Sequence, residues 1–192
     1  MRILVIIMAM FLLAPMALGD TVVEKSSKTE FPASITLKGP EGEVNLNALG
    51  TGLRKKAIFK VYAGCFYVDA EAKMGDDPAA AAISGNFAKR IDMHFLRDVG
   101  GDKIAGAFRE GIQKTMKGHE EQIDAFCKLF TEEVKKGESI VLTYLPGFGL
   151  VAEQAGEELG TLKEGHVISA LWATWFGDDP ISDDLKEGML GL

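Results

Sequence analysis

The stretch Gly50–Val68, GTGLRKKAIFKVYAGCFYV, decides how the rest of the chain is read. Its second half carries Ile58, Phe59, Val61, Tyr62, Phe66, Tyr67 and Val68 within Ala57–Val68. Branched and aromatic side chains at this density fit a pleated, half-buried surface, so the segment reads as a strand. Gly64 inside it marks a bulge or the close approach of another element. Immediately upstream, Val44, Leu46 and Ala48 alternate with asparagines, the period of a strand with one buried side. Further back, Gly39-Pro40-Glu41-Gly42 is a turn signal. Thr21–Leu37, which contains Pro32, reads as one or two short edge strands, with Ile35 and Leu37 on one side.

Downstream, Pro78–Ala82 reads as a short helix, with Asp76 or Asp77 as cap before a proline at the first helical position. Phe87–Leu96 alternates again, placing Ile91, Met93 and Phe95 opposite Asp92 and His94. Gly100-Gly101-Asp102 opens a helix with an apolar stripe of Ile104, Ala107, Phe108, Ile112 and Met116. The spacing of Ile123, Phe126, Cys127, Phe130 and Val134 predicts a second helix after Gly118. Ser139–Tyr144, Gly149–Gln154 and Glu157–Lys163 read as three short strands with glycines in their turns. A helix with apolar residues around nearly its whole circumference follows Gly165, and Ser182 caps a final one to Leu190. Consecutive strands pair antiparallel, so the fold class is α+β, with helices layered on one face of an antiparallel sheet. No repeat or linker interrupts Asp20–Leu192, which reads as one domain.

The chain has 192 residues, 47% hydrophobic and 26% charged, with 21 Lys+Arg against 28 Asp+Glu. That composition excludes disorder as the dominant state. The negative balance argues against a nucleic-acid partner, which calls for a basic stripe. Residues 1–19 read as a cleavable signal peptide: Arg2, an uncharged apolar run from Ile3 to Leu13, and Ala17-Leu18-Gly19 before a cut at Asp20. An N-terminal anchor helix is the alternative. Removing the leader takes the net charge from −7 to −8 and leaves no stable membrane span, so the protein is expected in the periplasm or secreted. Cys65 and Cys127 are the only cysteines, and sequence leaves open whether they form a disulfide or stay as two buried thiols.

Catalytic apparatus is sparse. Neither a GxSxG elbow nor an HExxH motif occurs, and His94, His119 and His166 are scattered, so no metal and no cofactor is expected. Gly50-Thr51-Gly52 lacks the third glycine of a dinucleotide loop and the Gly-Lys-Ser/Thr of a phosphate loop, and it precedes a strand. What stands out is Arg54, followed by Lys55, Lys56 and the aromatic strand. At the rim of an apolar interior, an arginine offers permanently charged, bidentate donors for a carboxylate or phenolate. A solvated cationic cluster balancing nearby acids is the other reading of the same residues.

GTGLRKKAIFKVYAGCFYV resembles the signature of the chalcone isomerase superfamily, particularly its bacterial chalcone isomerase-like branch. HVISALWATWFGDDPISDDLK is similar to that family's C-terminal helix, the turn after it and the start of the last helix, and LRDVGGDKIAGAFREGI to its strand-to-helix passage. The resemblance runs from about Ala33 to Leu192 and implies an open-faced β-sandwich, a long antiparallel sheet covered by helices with a ligand cleft between. The superfamily holds true isomerases, fatty-acid-binding proteins and non-catalytic relatives. The isomerases close a flavanone ring, an arginine holding the oxyanion while hydroxyl and amide groups orient it.

By the resemblance, Arg54 matches the family arginine and Thr174 a hydroxyl residue lining the cleft. Tyr62 stands where plant enzymes carry a threonine, Ile104 where they carry a tyrosine, and Gly111 where they carry an asparagine. Isoleucine and glycine cannot orient a polar substrate. The expectation is therefore a non-catalytic protein binding a small amphipathic acid, plausibly a fatty acid. Arg54, helped by Tyr62, holds the head group, and Phe59, Leu171, Thr174 and Trp175 line the pocket. Two alternatives stand beside it. One is an intramolecular lyase using Arg54, Tyr62 and Thr174 as catalytic residues. The other is an interaction module with a collapsed cleft, whose sign is Tyr62 or Trp175 filling the space beneath Arg54.

Overall fold

The computed structural model describes residues 19–39 and 42–192. The expected leader over 1–19 thus lies outside the described residues up to position 18, as do the two central residues of the turn at Gly39–Gly42. The fold begins with a hairpin of β1 (Thr21–Glu24) and β2 (Thr29–Pro32). A seven-stranded antiparallel meander follows in chain order: β3 (Ser34–Gly39), β4 (Gly42–Lys56), β5 (Phe59–Asp69), β6 (Lys89–Phe95), β7 (Ser139–Leu145), β8 (Gly149–Gln154) and β9 (Glu157–Leu162). Helices α1 (Pro78–Ser84), α2 (Gly101–Thr115), α3 (Glu120–Cys127), α4 (Gly165–Phe176) and α5 (Asp183–Leu190) complete it. The α+β class and the antiparallel sheet agree with the sequence reading.

The sheet separates two cores. The larger joins the helices to Tyr62, Phe66, Val68, Ile91, Met93 and Phe95, and the smaller puts Phe31 of the hairpin against Leu46, Ala63, Cys65 and Tyr67. Cys65 belongs to the second core and Cys127 to the first. Both thiols are free and buried, so of the two open possibilities the structure has the unbridged one. Burial pushes the Cys65 thiol up to about 12, which leaves it a small apolar filler.

Local signals in the sequence hold at the helix starts. Asp77 accepts the Ala80 N–H at 2.9 Å with Pro78 in the first turn, and Ser182 accepts the Leu185 N–H at 3.4 Å. The second of the middle helices is shorter than its apolar spacing predicts. It stops at Cys127, and Val134 instead exchanges antiparallel bridge hydrogen bonds with Val99 at 2.9 Å. Phe130 and Val134 are still buried, because an irregular segment can put the same residues into the core. Periodicity therefore reported burial here and overstated helix length.

Three glycines bring α5 down onto the backbone of β4. A Cβ on Gly50 would stand 2.2 Å from the Gly188 carbonyl oxygen, and one on Gly52 2.8 Å from the Leu185 carbonyl oxygen. From the other side, a Cβ on Gly188 would stand 2.6 Å from the Thr51 oxygen. Gly64 on the neighbouring strand faces the Met189 sulfur at 3.0 Å, so of the two readings of this glycine the close approach is the one found. Gly50-Thr51-Gly52 is thus a seat for a helix, not a cradle for phosphate.

Lys89 is in phase with Ile91, Met93 and Phe95 and is buried with them, at 1% exposure. Its ammonium donates to the carbonyls of Ala82 at 2.7 Å, Ile83 at 3.4 Å and Gly85 at 3.0 Å, which α1 leaves unpaired at its C-terminus. The rings of Phe87, Tyr144 and Trp172 surround it at 5.2 to 5.5 Å. Burial without an acidic partner pushes its pKa down to about 8.

Two outcomes follow from this packing. Gly52→Ala should lower stability in urea denaturation by roughly 1–3 kcal/mol, because backbone cannot yield to a new methyl group. Gly106→Ala, on an exposed helical position with nothing within 4 Å, should raise it by about 0.5–1 kcal/mol. The second outcome concerns pH. Between about pH 8 and the ordinary lysine value of 10.5, the unfolded chain keeps a proton that folded Lys89 releases, so stability rises with pH. Cys65 works in the opposite sense above its ordinary value of 9.0. From pH 8 to 9 the wild type should therefore gain up to about 1 kcal/mol relative to Lys89→Met. Parallel profiles for the two proteins would show that Lys89 keeps its ordinary pKa and would rule out the depression that burial causes.

Candidate functional site

Arg54 reaches the helix side of the sheet because of a bulge. The β4–β5 register pairs Ala48 with Tyr67 but Gly50 with Phe66, leaving Leu49 as an extra residue. Unbroken alternation would keep Arg54 in phase with Leu46 and Ala48, on the smaller core's side. The extra residue reverses the phase, so Gly50, Gly52 and Arg54 face the helix layer. Arg54 then lies directly opposite Tyr62, beyond the seat of α5. Its guanidinium is partly exposed and donates to the Lys55 carbonyl, with no carboxylate within ion-pair distance among the described residues.

Tyr62 is buried, and its hydroxyl accepts the indole N–H of Trp175 at 3.0 Å. Burial drives the phenol up to about 12, against the smaller downward pulls of the Trp175 hydrogen bond and the Arg54 charge. Phe95 tilts against Tyr62 with ring centroids 5.5 Å apart, and Phe108 meets Trp175 at 6.1 Å. Tyr62 and Trp175 thus occupy the space beneath Arg54. Two concavities of the described residues lie elsewhere, and neither is lined by Arg54, Tyr62 or Trp175.

Thr174 comes from the same turn of α4 as Trp175 and points toward α2. Its hydroxyl is buried with no hydrogen-bond partner. A Cβ on Gly111 would stand 2.3 Å from that oxygen, so glycine at this position lets α2 and α4 touch. Ile104 is buried on the same face of α2, two turns before Gly111, and adds only apolar surface. Leu171 is fully buried.

Phe59 departs from the expected pocket. It is 55% exposed on the β4–β5 hairpin, beneath the Arg97 guanidinium at 4.9 Å, because it opens β5 directly after the turn, at the end of the hairpin. The structure sets Arg54 opposite Tyr62 and Tyr62 against Trp175, turns Thr174 toward Gly111 of α2, buries Leu171 elsewhere in the larger core, and leaves Phe59 outside. Sequence reading also passed over Lys89, whose phase with Ile91 and Met93 was the signal available. The histidines do not join this group. His94 contacts the Ser139 hydroxyl at 3.3 Å, and His119 meets His166 at 3.1 Å on the surface. No group of three or more potential metal ligands occurs among the described residues.

The chemistry open to this arrangement is narrow: one permanent cation, one phenol held protonated, one unpaired hydroxyl and otherwise apolar walls. A permanent cation beside apolar surface has the chemistry to pair with an anion that carries hydrocarbon. Tyr62→Phe should cost about 1–3 kcal/mol in urea denaturation, since it leaves the Trp175 N–H buried and unpaired. Thr174→Val, by contrast, should leave stability unchanged or higher, because no hydrogen bond is lost.

Residues 24–191 match the sequence model of the family described as chalcone isomerase-like. Among the 38 solved chains that match is the crystal structure of a fatty-acid binding protein of Arabidopsis thaliana. It superposes with a TM-score of 0.72 at 22% identity, covering 89% of this chain and 96% of that one. No curated protein sequence matches the chain.

Proposed function

The chain belongs to the chalcone isomerase-like family, and on that footing we propose that it binds a small amphipathic acid, such as a fatty acid, without catalysing a reaction. The observation that carries the reading is Arg54, a cation with no carboxylate partner among the described residues, set opposite the buried hydroxyl of Tyr62. An arginine in this setting pairs with a carboxylate through two parallel hydrogen bonds. The hydrocarbon tail runs between the sheet and α4, along Leu171 and Trp175, with the Thr174 hydroxyl as a further polar contact. A structural likeness to a fatty-acid binding protein agrees with that ligand class.

Uptake requires the Tyr62–Trp175 pair to part, so the ligand selects or induces an opened state. Parting exposes one indole N–H and one phenol to the ligand head group, which replaces the hydrogen bond they share. Ring closure is the weaker reading, since Ile104 and Gly111 supply no polar groups to orient a chalcone. A second reading has its own support: with Tyr62 and Trp175 filling the space beneath Arg54, the domain acts as an interaction module without a ligand. We further infer export, with Asp20 as the first residue of the mature protein.

Both points can be read in one preparation. The full chain is expressed in a bacterium, recovered from the periplasmic fraction and weighed by native mass spectrometry before and after addition of C12–C18 fatty acids. The expected result is a mass beginning at Asp20 and one bound acid per chain. Arg54→Ala should weaken uptake about tenfold or more, the loss of a charge-assisted hydrogen bond pair. A folded wild type that neither carries nor takes up an acid would overturn the binding reading in favour of the module.

A further inference from the structure

The end of the molecule where β4 turns into β5 carries side chains that folding does not require. The turn residues are Ala57 and Ile58, between the paired Lys56 and Phe59. Ala57 has a φ of 53°, a left-handed conformation that glycine or asparagine adopts at lower cost. Ile58 is 87% exposed, and Phe59 beside it is 55% exposed. Neither residue improves the turn, and the described residues leave Ile58 open and cover Phe59 only in part, through Arg97.

The surroundings are basic. Lys55, Lys56 and Lys60 flank the tip on its own hairpin, and Arg97 lies over the Phe59 ring. Lys60 donates to the Ser26 carbonyl at 2.5 Å, which brings the β1–β2 turn alongside with exposed Lys25 and Lys28. Among the described residues none of these six is within ion-pair distance of a carboxylate. The acids at this end are engaged with backbone. Asp98 accepts the Lys136 N–H at 2.8 Å, and buried Glu24 accepts the N–H groups of Ser26 and Ser27. The chain as a whole carries −7, so this end is a concentrated exception to its own net charge.

We propose that this basic, apolar-tipped end docks on an anionic lipid surface, with Ile58 and Phe59 entering the headgroup region and the lysines and arginine contacting lipid phosphates. Opposite charge orients an acidic protein so that a cationic end approaches the membrane. Apolar side chains ringed by lysines fit a layer whose charged surface covers hydrocarbon. A folded protein partner fits less well, because two protruding side chains fall far short of the roughly 20–30 residues a side of a stable interface. An open concavity of about 510 Å³ beside the tip, lined by Phe59, Lys60, Leu96, Arg97, Asp98 and Lys136, gives a headgroup room to settle. No described helix is long and apolar enough to cross a membrane. This inference is independent of whether the interior holds a fatty acid.

Sedimentation with vesicles tests it. The wild type should bind phosphatidylcholine–phosphatidylglycerol vesicles, leave pure phosphatidylcholine vesicles in the supernatant, and dissociate as salt is raised. Ile58→Ser with Phe59→Ser, and separately Lys55→Glu with Lys56→Glu, should each weaken binding about tenfold or more. Unchanged thermal melting of both variants would show that folding is intact, and exposed positions make that the expected result. Absence of binding to anionic vesicles, equal binding by the variants, or self-association through this tip in light scattering would each overturn the proposal.

Discussion

The contact between α5 and β4 is the constraint on which the rest depends. Helix backbone rests on strand backbone only where side chains are missing, and Gly50, Gly52 and Gly188 remove them from both sides. That closeness seals one end of the larger core with Leu185, Met189 and Leu190. It also sets where cover stops. Beyond Gly52 the strand emerges from under the helix, and the next residue on that face is Arg54. A cation at the edge of an apolar interior is thus a product of the same packing that closes the interior.

The polar groups in the larger core are arranged with unequal completeness. Lys89 satisfies three carbonyls at the end of α1, and the Tyr62 hydroxyl satisfies the Trp175 indole. Thr174 and Trp172 have no partner for their buried polar atoms. Fully paired groups hold elements in place, whereas an unpaired one gains when something arrives that can bond to it. The unpaired hydroxyl of Thr174 sits next to Trp175 in the helix that closes the space beneath Arg54.

Much of the fold was legible along the chain. The dense aromatic and branched run before Asp69, the Asp77–Pro78 start and the Ser182 cap each describe local chemistry that tertiary contacts had no reason to override. Where longer-range packing competes, reading from spacing went astray. Phe130 and Val134 continue a helical stripe but lie beyond the helix, since burial and helicity share a period without implying each other. Phe59 belongs to an aromatic strand by composition, yet it stands at the first paired position after a turn, at the exposed end of the hairpin. Lys89 shows the reverse failure: its phase was visible, and its charge argued for the surface.

From its sequence alone the chain determined its strand and helix order, the antiparallel character of its sheet, the family resemblance and the presence of one arginine beside an aromatic strand. These are properties of neighbouring residues, set by side-chain period, turn chemistry and capping. Which face Arg54 occupies was decided only in three dimensions. One extra residue at Leu49 reverses the alternation of β4, and that bulge depends on how β5 pairs with it. The filled space beneath Arg54 is likewise tertiary, since Tyr62 and Trp175 are 113 residues apart and meet only when α4 packs on the sheet. Gly111 against Thr174 follows the same rule, for a missing side chain has meaning only once its neighbour is in place.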